Sequence, residues 1–154
     1  TGELGSASIL KVITNYLASV HLVALGEAWT VAKKSKLDLS KVYKGIAASS
    51  GNSFVHETES QVILNGSYNI NFTMDLVEKD MSLFNELSKK LNTPLEISPS
   101  ILEIFKDAQK KYGSRAWSSM VVKRLEDKFN INFRASNFPE ELLDNEPEEK
   151  GYEI

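Results

Sequence analysis

The chain has 154 residues, 42% hydrophobic and 25% charged, with eight glycines, four prolines, no cysteine and a net charge of −3. That length is one ordinary domain, able to bury a core without staples, and the average composition excludes a repeat protein and wholesale disorder. The lack of cysteine excludes disulfides, thiolate catalysis and cysteine-based metal sites. It suits a reducing, cytoplasmic address, with a mitochondrial one as the alternative.

The charge is uneven. Residues 140–154 hold seven acids and one base, so this segment carries −6 and residues 1–139 carry +3. A body so mildly positive makes no case for nucleic acid. The acidic end reads as a solvated, disordered tail beyond a helical domain spanning 1–139. The first helical region holds a stretch without Asp, Glu, Lys or Arg from Val12 to Gly26. It is short for a membrane span and reads as a core helix, and no signal peptide is visible. The chain opens at Thr1 without an initiator Met, which raises the expectation of a fragment or processed product.

The first predicted element, from about Ser8 to Lys34, is a helix apolar nearly all round, with Ile9, Leu10, Ile13, Leu17, Leu25 and Trp29 spread over its circumference. Such a helix is buried on all sides. A domain this small has few neighbours to cover it, so a second domain or a second subunit is expected over it. A second helix begins at Leu37 to Ser40, capped by Asp38 or Ser40, with Val42, Tyr43, Ile46 and Ala47 inward. Ser49 to Ser53 is a break, a third helix runs from Phe54 to Leu64, and Asn65 to Asn71 reads as a loop from its turn residues. An amphipathic helix follows from Phe72 to Leu91, stopped by Asn92-Thr93-Pro94. Ser98-Pro99 reads as an N-cap followed by proline at the first helical position. It opens a helix from Ser100 to about Tyr112 that ends at Gly113. Trp117 to Phe129 forms the last helix. The valines and isoleucines fall at helical spacing, so the predicted fold class is all-α, with about six helices and a long buried first one.

Lys11 and Asn15 stand i and i+4 on the first helix and so project from one face. A lysine and an amide held side by side can grip one hydroxyl or carbonyl group, the lysine exchanging a proton with it and the amide fixing its direction. By default a lysine near a helix start is a surface residue. Lys11, however, is flanked by Leu10, Val12 and Ile13, and a desolvated lysine is a usable acid or base near neutral pH. Lys79-Asp80 by default is a solvated charge pair, and Asp75, Glu78 and Asp80 a charged helix face. As adjacent residues, Lys79 and Asp80 can also serve different neighbours. Phe72 reads as a core anchor. His21 reads as a satisfied core histidine, and it lies far from His56, so no metal site is expected. No Gly-x-Ser-x-Gly elbow, phosphate loop or Gly-x-Gly-x-x-Gly turn occurs.

The pattern Gly2-x-x-Gly5-x-Ala7-x-x-x-Lys11-x-x-x-Asn15 resembles the start of the C-terminal all-α domain of the β-hydroxyacid dehydrogenases, the group around 3-hydroxyisobutyrate dehydrogenase and tartronate semialdehyde reductase. This is the type of helical domain also found at the C-terminus of 6-phosphogluconate dehydrogenase. Glu27-Ala28 with Leu37-Asp38, Ser50-Gly51-x-Ser53, and Phe72 followed by Lys79-Asp80-Met81-x-Leu83 match in the same order, over roughly residues 2–113. The resemblance implies Lys11 as the catalytic acid/base and Asn15 as a substrate ligand. It assigns Phe72, Lys79 and Asp80 to the cofactor side of the site, with Phe72 and Lys79 beside the nicotinamide of NAD or NADP and Asp80 also in support of Lys11. It implies a small β-hydroxyacid or semialdehyde as substrate, a Rossmann domain ahead of Thr1 that is absent here, and a homodimer, with neither nucleic acid nor membrane as partner. Ala7, Thr14, Lys36 and Trp117 depart from the family pattern. Two other readings are a non-catalytic dimerisation or interaction module derived from such an enzyme, and a ketopantoate-reductase-type helical domain, against which the Lys-Asp segment speaks.

Overall fold

The computed structural model describes residues 2–142. The disordered tail expected from residue 140 onward therefore lies almost wholly outside the described residues. Six helices follow in chain order: α1 Ser6–Lys34, α2 Leu39–Ala47, α3 Phe54–Asn65, α4 Met74–Lys90, α5 Ile97–Tyr112 and α6 Met120–Phe129. Among the described residues no strand forms, only one isolated bridge between Thr73 and Trp117. The fold is all-α.

α1 is the axis. It packs against α3, α4, α5 and α6 and touches α2 near its end. Its inner stripe carries Leu22, Leu25, Trp29 and Ala32 into a core shared with Val55 and Ile63 of α3, Met81 of α4, Phe105 of α5 and Val121 of α6. Gly26 lets α6 cross closely, since a Cβ there would come within 3.1 Å of Val122 Cγ2. The N-terminal half of α1 departs from the expectation of burial on every side. Ile9, Leu10, Ile13 and Leu17 are all more than a third exposed, because among the described residues that half of α1 packs by one face against α4, as in the Tyr16–Phe84 stack. α1 is long and apolar enough to cross a membrane by length and composition alone, but its fully buried Trp29 and its packing against four other helices make it the core helix of this domain.

Local chemistry explains where helices begin and where the sequence reading slips. The Asp38 carboxylate accepts from the backbone N–H groups of Ser40 and Lys41, so it is the cap of α2. Ser53 Oγ accepts from His56 N at 3.1 Å and caps α3, and Gly66, at φ 96°, ends it in the left-handed region that glycine tolerates. α4 starts at Met74 rather than Phe72. Met74 N donates to Ala116 O at 2.9 Å and Ser118 N to Phe72 O at 2.8 Å, so residues 72–74 are held extended against 116–118. The same pairing delays α6 from Trp117 to Met120. Ser98 is not an N-cap: α5 begins at Ile97 after Glu96, without a side-chain cap. Pro99 then falls in the first turn, where its missing N–H costs no intrahelical bond.

Candidate active site

The i, i+4 pair of α1 faces α4, and the meeting point is Asp80. Lys11 Nζ lies 2.8 Å from Asp80 Oδ2 and Asn15 Nδ2 donates to the same oxygen at 2.5 Å. The Asp80 side chain is only 4% exposed, while that of Lys11 is 56% exposed. Burial pushes the Asp80 carboxyl up, but the hydrogen bonds from Lys11 and Asn15, with the Lys11 and Lys79 charges, outweigh it and hold the group below its ordinary 3.8. It is a buried carboxylate fixed by cations. Its other oxygen, Oδ1, is buried without a hydrogen-bond partner; Lys79 Nζ is 3.5 Å away.

Lys79 and Asp80 have different surroundings: Asp80 is turned inward to Lys11 and Asn15, whereas the Lys79 side chain is largely exposed. Two expectations are corrected. The Lys11 side chain is not desolvated among the described residues. His21 is exposed rather than a core histidine. The core histidine is His56, 1% exposed, with Nε2 2.9 Å from Tyr43 O and Nδ1 3.0 Å from Ser60 Oγ. Burial lowers its pKa from 6.5, as a neutral ring among hydrogen-bonding partners requires. The carboxylates of α4 also divide. Asp75 is a helix-face acid paired with Arg115 at 3.1 Å, whereas Asp80 is turned inward.

A cavity of about 340 Å³ opens beside this cluster, at the junction of α1, α3, α4 and α5. Asn15 and Asp80 line it, as does the half-buried Phe72, so the structure gathers Asn15, Phe72 and Asp80 around one space, with Lys11 bonded at its edge. α3 contributes Phe54, Thr58 and Glu59 to the opposite wall. Glu59 escaped the sequence reading. Its signal is the spacing Val55–Glu59–Ile63, which places an acid between two core residues on one helical face.

Comparison with known proteins shows the family of the chain. The family model described as NAD-binding of NADP-dependent 3-hydroxyisobutyrate dehydrogenase matches residues 5–125. The chain is 28% identical over 121 residues to the L-threonate dehydrogenase of Haemophilus influenzae, covering 79% of this chain and 40% of that protein. A crystal structure of a 3-hydroxyisobutyrate dehydrogenase from Salmonella typhimurium superposes with a TM-score of 0.73 at 29% identity, over 78% of this chain and 42% of that one. A more distant relative, 23% identical over 123 residues, is the cytokine-like nuclear factor N-PAC of Aedes aegypti, of which the match covers 22%. The chain spans about two fifths of the length of the dehydrogenases it matches. With its six helices and the matched segment 5–125, the chain belongs to the NAD-binding domain family of NADP-dependent 3-hydroxyisobutyrate dehydrogenase.

Proposed function

We propose that this chain is the helical, substrate-binding part of an NAD- or NADP-dependent dehydrogenase acting on a small β-hydroxyacid or the corresponding semialdehyde. The observation that carries the reading is the Lys11–Asn15–Asp80 cluster: two donors of one helix face converging on a buried carboxylate at the mouth of a cavity. The residues fit a nicotinamide ring. Phe72 offers a flat apolar surface on the cavity wall, and the unpartnered Oδ1 of Asp80 is an acceptor that a bound donor group would satisfy. Phe72 and Lys79 would hold that end of the cofactor, NAD or NADP, which when bound accepts or returns the hydride.

The chain's own residues would handle the proton. In alcohol oxidation the Lys11 amine takes the proton of the substrate hydroxyl, and Asp80, 2.8 Å away, stabilises the ammonium that forms. Asn15, its Nδ2 bound to Asp80, keeps its carbonyl oxygen as an acceptor to orient the substrate. In the reverse direction Lys11 returns the proton to the carbonyl oxygen. The exposed N-terminal half of α1 supports a Rossmann domain and a second copy as partners, since Ile9, Leu10, Ile13 and Leu17 are apolar surface that water disfavours. The reading places the protein in the cytoplasm.

The test is a steady-state assay of the full-length protein with NAD or NADP and a set of small β-hydroxyacids. Substrate-dependent reduction of one of the cofactors is expected; no reduction with any of them contradicts the reading. A second reading, a non-catalytic interaction module, is favoured by the nuclear-factor relative. It predicts no turnover but a stable dimer.

A further inference from the structure

The cavity holds a second carboxyl group whose environment is the opposite of Asp80's. Glu59 Oε2 is closed off from solvent and has no hydrogen-bond partner. The surrounding wall is largely apolar, with Leu22, Val55, Ile70 and Phe105. Two of the cavity's hydroxyls are turned elsewhere: Ser19 donates to Asn15 O and Thr58 to Phe54 O, each at 2.8 Å. Burial alone pushes the Glu59 carboxyl from 4.5 to about 8, with no charged neighbour contributing. A buried polar atom with no partner costs stability, and Glu59 lines the same cavity as Asn15 and Asp80. Strain of this kind fits a ligand contact rather than a structural one.

We propose that Glu59 is a specificity-determining residue of this cavity, selecting substrates that carry an additional hydroxyl group on the carbon chain away from the reacting carbon. This rests on the dehydrogenase reading above and deepens it. A hydroxyl is the partner that fits. A neutral carboxyl offers an acceptor oxygen and an O–H donor, and a hydroxyl matches both without bringing charge into an apolar wall. An ammonium group would have to enter that wall charged and force Glu59 to ionise there. A methyl or methylene tail would leave Oε2 as unpartnered as it is now. The preferred substrate class is therefore a polyhydroxy acid rather than an aliphatic hydroxyacid.

The experiment compares full-length wild type with Glu59→Leu and Glu59→Gln, using L-threonate as the polyhydroxy probe and 3-hydroxyisobutyrate as the aliphatic one. Wild type is expected to show the higher kcat/KM on L-threonate. Glu59→Leu is expected to lower kcat/KM for L-threonate about tenfold or more, mainly through KM, as loss of one buried hydrogen bond does, and to leave 3-hydroxyisobutyrate within about threefold. Glu59→Gln keeps both hydrogen-bonding functions and should retain most of the L-threonate activity. The Tm of Glu59→Leu should equal or exceed that of wild type, whereas a structural carboxyl would lower it. Equal losses on both probes, an unchanged ratio, or a wild type that prefers 3-hydroxyisobutyrate overturns the assignment of Glu59 alone. A wild type that turns over neither compound overturns the dehydrogenase reading and this inference with it.

Discussion

At the residue scale, the site is a contrast between two carboxyl groups in one cavity. Asp80 is held below its ordinary value by Lys11 and Asn15. A depressed carboxyl contributes stability that is present above the unfolded pKa near 3.8 and lost as pH falls through the lower folded value. Glu59 is the reverse: its pKa is raised from 4.5 to about 8. In that window the folded state keeps a proton that the unfolded state has released, so stability falls as pH rises from 4.5 to about 8, by roughly 1.4 kcal/mol per pH unit at most. Thermal melts of wild type and Glu59→Gln across pH 5 to 8 should therefore diverge, wild type losing Tm relative to the variant; parallel curves would contradict a neutral Glu59. Asp80→Asn should cost about 1–3 kcal/mol in denaturant titration, because a carboxylate that receives two hydrogen bonds and two cationic neighbours is replaced by an amide. Lys11 and Asn15 were legible in the sequence because i, i+4 spacing fixes a shared face. Glu59 was harder to see, since two acids so close together, Glu57 and Glu59, look like a solvated helix face, and only the fold shows which side of α3 is covered. The burial expected for Lys11 was misjudged for a related reason: apolar neighbours in sequence do not desolvate an amine unless something packs over it.

At the element scale, helix periodicity located all six helices, and the errors lie at their ends. Those at Phe72 and Trp117 share one cause, a long-range pairing of 72–74 with 116–118 that no local pattern encodes. The caps divide in a testable way. Asp38→Ala should destabilise by about 1 kcal/mol, since its carboxylate accepts from two end-of-helix N–H groups. Ser98→Ala should be neutral or slightly stabilising, because Ser98 Oγ is buried without a partner. Chemical denaturation of both variants separates them; a larger loss for Ser98→Ala would contradict the observed start of α5. Gly66 carries more than a helix end. Its φ of 96° is strained for any other residue, and a Cβ there would collide with the Arg134 side chain. Arg134 in turn donates to Ile63 O at 3.1 Å and to the buried Glu126 at 3.0 Å. Gly66→Ala should therefore cost about 1–2 kcal/mol or more, measured by the same titration.

At the scale of the whole molecule, α1 faces two ways. Its C-terminal half is the core axis, and its N-terminal half carries Lys11 and Asn15 together with an uncovered apolar ridge. The sequence showed the all-round apolarity. Which part is satisfied within the chain depends on where α3 to α6 pack. Covering the ridge is expected to draw two copies together, so light scattering of the 154-residue chain should give about twice its 17.2 kDa mass. A stable monomer would count against the ridge as a pairing surface. The central claim is that Lys11 moves the proton of a substrate hydroxyl. It is tested most directly by the turnover number of Lys11→Ala in the full-length protein, measured alongside cofactor affinity and Tm. The account predicts a fall in kcat of about 10²- to 10⁴-fold, with cofactor binding unchanged and stability lowered by no more than about 2 kcal/mol. Turnover within tenfold of wild type would contradict it.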